Sequence, residues 1–258
     1  DENGLENAFY IGDKIDFSQR FSLYLGLRYS WYTYFGPKTV KQYQEGFARR
    51  QSTITGTVEY GNGDAIKTYN GREYRLSARY ALNYESSLKL SYNRLRQYIH
   101  MLSNTTAISP TDTWKLSDPY IRPQVGDQVS LGYYRNFKNN TIEGSAEIYY
   151  KEVKDFLDYK GGAELIMNEH IETDIINAFN KAYGVEILFK KKTGKLNGWV
   201  SYTYSRSLVK LDGEFPDEKV NEGEYYPAND DKPHDFTLIS NYRFSRRFSV
   251  STNFTYST

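Results

Sequence analysis

From Phe21 to Tyr32 the chain alternates at every step: Phe21, Leu23, Leu25, Leu27, Tyr29 and Trp31 are apolar, with Ser22, Tyr24, Gly26, Arg28, Ser30 and Tyr32 between them. Successive side chains of an extended backbone point to opposite faces, so this period of two makes one face greasy and the other polar. The pattern returns as Tyr74, Leu76, Ala78, Tyr80 and Leu82 against Arg75, Ser77, Arg79 and Asn83. It returns again as Ile142, Ala146, Ile148 and Tyr150 against Glu143, Ser145, Glu147 and Lys151, and once more at Tyr183, Val185, Ile187 and Phe189. No helix keeps such a pattern on one face, so the chain is expected to be sheet.

Ten strands are expected, at about 7–17, 21–35, 72–84, 87–100, 127–137, 140–153, 181–193, 196–209, 234–245 and 247–258. They fall into five hairpins. Each closes with a short polar turn, at Ser18-Gln19-Arg20, Tyr84-Glu85-Ser86, Lys138-Asn139, Thr193-Gly194-Lys195 and Ser245-Arg246-Arg247. Consecutive hairpins are joined by long loops, of which 36–71, 101–126 and 210–233 are both large and aromatic. Tight turns therefore gather at one end of the sheet and long loops at the other. A soluble sandwich has no reason for that asymmetry, whereas an outer-membrane barrel keeps short turns on the periplasmic side and long loops outside.

Mean hydropathy, at -0.72, would pass for a soluble protein. The aromatic content argues otherwise: 26 Tyr, 14 Phe and 3 Trp in 258 residues suit a surface where rings sit between lipid and water. No stretch approaches the roughly 18 apolar residues of a membrane helix, and no secretory leader opens the chain at Asp1. A membrane strand needs only about 10 residues of alternating polarity, which averages to a hydrophilic score. On the polar face, Arg28, Arg75, Arg79, Lys89, Glu143, Glu147, Lys151, Glu186 and Lys190 all need water, as a hydrated lumen supplies. The fold expected is all-β, an antiparallel up-and-down transmembrane β-barrel segment of about ten strands, one domain over 1–258, its apolar face on the lipid bilayer of the outer membrane. A soluble all-β binding module with one solvated face is the open alternative.

Chemistry-bearing patterns are sparse. Only His100, His170 and His234 are available, there is no Cys, and no Ser sits in a nucleophile elbow, so no catalytic residues are assigned. Lack of Cys also removes disulfides and thiolate metal sites. Asp230, Asp231, His234 and Asp235 could gather round a metal, but a loop-to-strand junction behind Pro233 explains them as well, and no metal or cofactor is assigned. The acidic run from Asp212 to Glu224 reads as a solvated loop. A net charge of +1 makes no case for nucleic acid. Trp114, Tyr120, Tyr225 and Tyr226, with Tyr69 and Tyr98 nearby, lie in or beside the long loops, where flat rings could stack on a ligand; girdle tyrosines would look the same.

Tyr10-Ile11-Gly12-Asp13-Lys14-Ile15, a turn, and Leu25-Gly26-Leu27-Arg28-Tyr29 together resemble the barrel of TonB-dependent receptors. Ala182-Tyr183-Gly184-Val185-Glu186, Gly198-Trp199-Val200-Ser201-Tyr202-Thr203-Tyr204-Ser205 and Asp231-Lys232-Pro233-His234-Asp235 look like later hairpins of that family in the same order. The segment from Thr111-Asp112-Thr113-Trp114 to Arg122-Pro123-Gln124 is similar to a loop of Bacteroidota-type members. The resemblance covers nearly the whole chain. It implies a 22-stranded barrel around an N-terminal plug, energised by the TonB complex acting through that plug region, with active uptake of a siderophore, cobalamin, glycan or peptide. A surface lipoprotein partner stays open. So does a barrel kept as a structural or assembly subunit of an envelope complex. Without a plug or a terminal aromatic strand, the chain reads as an interior excerpt near strands 9 to 18.

Overall fold

The computed structural model describes residues 2–102, 113–160, 163 and 171–258. His170, with Thr111 and Asp112 of the loop motif, lies outside the described residues. In chain order the strands are β1 (Asn3–Asp16), β2 (Phe21–Phe35), β3 (Lys38–Tyr43), β4 (Ile54–Tyr60) and β5 (Ala65–Ala81). Then come β6 (Ser86–Gln97), β7 (Ile99–Leu102), β8 (Thr113–Leu116), β9 (Gln124–Phe137) and β10 (Ile142–Tyr159). The last are β11 (Ile175–Lys191), β12 (Leu196–Lys210), β13 (Tyr226–Pro227), β14 (His234–Arg243) and β15 (Ser249–Ser257). Among the described residues no helix is long and apolar enough to cross a membrane, which says nothing about strands.

Ten long strands make one antiparallel sheet in the order β1, β2, β5, β6, β9, β10, β11, β12, β14, β15, each beside the next long strand in sequence. This is the expected up-and-down sheet. The short β13 adds to β12, while β3–β4 and β7–β8 form small ladders of their own within the long connections.

Register shows why alternation matters. Phe21, Tyr80, Leu88, Tyr133, Ala146, Ile187, Tyr202, Phe236 and Tyr256 lie opposite one another from β2 across to β15. One residue along each strand, the row is Ser22, Arg79, Lys89, Gly132, Glu147, Glu186, Thr203, Asp235 and Ser257. The first row is wholly apolar or aromatic, the second wholly polar or glycine, and a slip of one residue anywhere would mix them. On the polar face Arg28 donates to Glu73 on β5 and Glu6 on β1, both at 2.6 Å, tying three strands together.

The apolar face is bare: Leu25, Leu76, Leu90, Leu131, Ile148 and Phe189 are all exposed. Among the described residues the hydrophobic clusters collect at the loop end, and they are small: Ile176 with Ala178, Val209 and Leu211; Tyr32 with Tyr34 and Tyr98; and Leu102 with Ile121 and Ile175. A soluble sandwich would bury the apolar face of this sheet under a second layer. An apolar surface of this extent suits lipid instead.

Strand boundaries differ from expectation at the loop end. β5 begins at Ala65 rather than 72, β10 runs to Tyr159 rather than 153, and β11 begins at Ile175 rather than 181. Alternation stops there, for Ile175 and Ile176 are both buried and Asp155, at φ 55°, makes a bulge between Lys154 and Phe156. Ladder hydrogen bonds continue where no lipid face is required.

Candidate functional site

Three long connections converge over the polar face at the loop end, and Tyr120 is where they meet. Its ring takes the Arg49 guanidinium at 5.3 Å and the edge of Tyr43 at 5.4 Å and 82°. Its hydroxyl donates to the Lys41 carbonyl. Its own carbonyl accepts from Asn177 Nδ2 at 3.0 Å and Arg49 Nη1 at 3.3 Å. Arg49, Tyr43 and Lys41 belong to the β2–β5 connection, Tyr120 to β6–β9, and Asn177 to the start of β11. Tyr43 reaches the third connection as well, donating to Glu172 at 3.1 Å. Burial pushes the hydroxyls of Tyr43 and Tyr120 above the ordinary tyrosine range, so both stay protonated donors.

Asp118 shapes the turn that presents this ring. Its Oδ1 accepts from the Tyr120 and Ile121 amides at 2.8 Å each, and its backbone carbonyl takes the Tyr69 hydroxyl at 2.7 Å. Its other oxygen lies 3.2 Å from Lys115 Nζ, which also pairs with Glu2. Glu2 in turn accepts from the Leu116 amide at 2.9 Å and the Tyr34 hydroxyl at 3.3 Å. Burial opposes charge on both members, but proximity wins: Lys115 is held above its ordinary pKa by Asp118 and Glu2, and Glu2 below its own by Lys115 and the Leu116 amide. The pair is therefore ionic at neutral pH.

Between this turn and the β3 strand lies a cavity of about 300 Å³. Trp114, Lys115, Asp118 and Tyr120 form one wall; Lys38, Lys41 and Glu172 form another. Trp114 is 62 % exposed, on the same face of the β7–β8 ladder as its exposed partner Met101. Of the four aromatic residues expected to touch ligand, Trp114 and Tyr120 thus share one cavity. Tyr225 and Tyr226 do not reach it. Tyr226 donates to Asp158 at 3.2 Å and packs against the Ile176 cluster, and Tyr225 receives Lys181 Nζ 3.7 Å from its ring centroid. Of the two neighbours, Tyr69 donates to the Asp118 carbonyl and Tyr98 stacks on Tyr32 at 4.9 Å.

The Asp230 to Asp235 cluster is dispersed by register. His234 opposes Tyr204 and shares a hydrogen bond with the Tyr202 hydroxyl at 2.9 Å, whereas Asp235 opposes Thr203 on the other face. Asp231 binds Arg206 at 2.9 Å and the Ser207 amide at 2.6 Å. Among the described residues no group of three or more His, Cys, Asp or Glu could hold a metal ion. Sequence reasoning passed over Glu2, Lys115 and Asp118. Lys115 and Asp118 stand inside the quoted loop segment, but only tertiary contact with Glu2 gives them a role.

A family model described as "TonB dependent receptor-like, beta-barrel" matches residues 2–258. No curated protein matches the sequence. Among solved structures, the FrpB iron transporter of Neisseria meningitidis (F3-3 variant) superposes with a TM-score of 0.62 at 14 % identity, over 97 % of this chain and 32 % of that one. The ferric-catecholate import receptor Fiu of K12 E. coli gives 0.60 at 17 %, over 98 % and 34 %. The copper transporter OprC gives 0.64 at 13 %, over 98 % and 35 %. At such identities these likenesses speak for the fold, and the chain spans about a third of the length of each structure.

Proposed function

Because the chain belongs to the TonB-dependent receptor β-barrel family, we propose that it forms part of the wall and external rim of an outer-membrane receptor that actively takes up a specific nutrient. One observation carries this reading: an unbroken apolar row from β2 to β15 runs beside an unbroken polar row, the two faces a strand needs between lipid and a wet lumen. The apolar face meets the bilayer of the outer membrane. The polar face surrounds a plug region through which the TonB complex acts, and energy comes from that partner rather than from a bound nucleotide. Trp114 and Tyr120 mark where cargo meets the rim, and a surface lipoprotein would have to seat on that same rim. No catalytic step is assigned to the chain.

The test uses the full-length gene in its own cell. Deleting it and, separately, deleting TonB should produce the same growth defect on the same nutrient. Normal growth of both strains on every candidate nutrient, together with loss of an envelope complex in the first, would favour a scaffold over a transporter.

A further inference from the structure

We propose that the turn end of β11 and β12 holds an anionic phospholipid of the periplasm-facing leaflet, its acyl chain in a hollow at Gly198 and its phosphate against Lys191 and Lys195. The inference goes beyond uptake and does not depend on what the barrel carries. Three observations meet there.

The first is a gap in the lipid face. Gly198 stands in the apolar register, between Lys191 on β11 and Ser240 on β14, and has no side chain to fill its place. Around it Ile142, Phe189, Leu196, Val200 and Leu238 enclose a hollow of about 400 Å³, with Lys191 in its wall. A second hollow on this face, about 290 Å³ among Leu90, Val129, Leu131 and Ile148, has no cation in its lining.

The second is charge. Residues 190–195 hold Lys190, Lys191, Lys192 and Lys195 and no carboxylate. The β14–β15 turn adds Arg243, Arg246 and Arg247, again with no carboxylate in 243–247. The Arg243 amide donates to the Lys195 carbonyl at 2.8 Å, which joins the two turns in one patch. Lys192 pairs with Glu143 at 2.5 Å; among the described residues the others meet no carboxylate in an ion pair. The patch is local, for the turn after β5 carries Glu85 and the turn after β1 follows a Lys14–Asp16 pair. A basic cluster of this size at a membrane surface attracts acidic headgroups.

The third is depth. Tyr242, Phe244 and Phe248 are exposed at this same end, Phe244 lying 4.5 Å from Tyr242 and 5.4 Å from Phe248 between ring centroids. Exposed rings of this kind settle at headgroup level. Lys191 Nζ lies beside Gly194 of the turn, at that level, while the hollow runs from Gly198 past Val200 and Leu238 into the hydrocarbon. An occupant that matches both is apolar at one end and anionic at the other. Free phosphate would leave the hollow empty, and a zwitterionic lipid would bring its own ammonium against the lysines.

The test titrates the full-length receptor in neutral detergent with phosphatidylglycerol and with phosphatidylethanolamine of the same chains, bound lipid being counted by native mass spectrometry. Phosphatidylglycerol should be held about tenfold more tightly. The double variant Lys191→Gln with Lys195→Gln should lose that preference. Val200→Trp, which fills the hollow and leaves every lysine in place, should weaken phosphatidylglycerol several-fold; should it fail to fold, Leu238→Phe serves the same purpose. Arg20→Gln, at another turn, should change nothing, and inorganic phosphate at millimolar concentration should not displace the lipid. Equal retention of the two lipids, or a preference that survives the double variant, overturns the proposal. So does an equal loss in Arg20→Gln, which would make the attraction one of overall charge, and so does unchanged binding in a folded variant with the hollow filled. Displacement by inorganic phosphate would assign the patch to the free anion and overturn the lipid site. Lipid counts are indifferent to TonB, so the uptake reading stands or falls separately.

Discussion

Tyr120 joins distant segments at one point, with Arg49 and Tyr43 against its ring and Asn177 of β11 on its backbone carbonyl. Tyr120→Ala should therefore loosen segments far apart in sequence while sparing the barrel strands. Hydrogen exchange should speed up at 41–49 and, through Tyr43 and Glu172, at 171–174, but not in β9, β10 or β11; unchanged exchange at both loop segments would remove Tyr120 from this role. Tyr120→Phe loses only the bond to the Lys41 carbonyl, a cost of about 1 kcal/mol. His100 is the second informative residue. It is 1 % exposed, with Nε2 at 2.9 Å from the Ser117 hydroxyl and Nδ1 without a partner among the described residues, and burial pushes its pKa down to about 4 from 6.5. The released loop takes up a proton below pH 6.5 that the docked loop refuses until about pH 4. Docking is thus at full strength above 6.5 and weakens as pH falls to 4, by about 3 kcal/mol in all. Proteolysis or exchange at 99–102 across this range should show the loss, and His100→Gln should flatten the profile. At this scale the sequence was least informative: a tyrosine in a loop looks the same whether its ring is open to solvent or, as with Tyr120, packed against Arg49 and Tyr43.

Within strands, the alternation can be tested by breaking it. Leu76 lies between Leu25 and Tyr92 on the bare apolar face, and Leu76→Arg should cost about 2–4 kcal/mol if the site is near mid-bilayer, read from urea titration of the receptor refolded into vesicles. Gly198, at φ +147°, has no room for a Cβ, which would strike the Ile239 carbonyl across the ladder. Gly198→Ala should cost about 1–3 kcal/mol by the same titration, and a neutral result would contradict the register there. Strand centres were legible because lipid and water enforce the period; β2 was expected at 21–35 and runs from Phe21 to Phe35. The loop strands were not, because their two faces meet protein and solvent alike. β4 does alternate, as Ile54, Thr55, Gly56, Thr57, Val58, Glu59 and Tyr60, but over too few residues to stand out within a loop.

For the molecule as a whole, every short turn lies at one end of the sheet and every elaborated connection at the other, so orientation in the membrane follows. Epitope tags after Gly61 or Gly223 should be reached by antibody on intact cells, and a tag after Gly194 should not; labelling at Gly194 would reverse the orientation. Fold and sidedness were readable from the sequence because they are repeated in ten strands, whereas the cavity depends on contacts of Lys115 with Glu2 and Asp118, and of Glu172 with Lys41 and Tyr43, that no local pattern announces. The account stands on one claim, that the two faces of this sheet meet different solvents. Adjacent residues Glu147 and Ile148 on β10 test it directly, since one belongs to the polar row and the other lies between Leu131 and Val185 on the apolar face. Spin labels placed singly at these positions in the full-length receptor, reconstituted in lipid vesicles, should be quenched by dissolved oxygen at 148 and by a water-soluble nickel chelate at 147. Equal access of the nickel chelate to both would contradict the barrel wall.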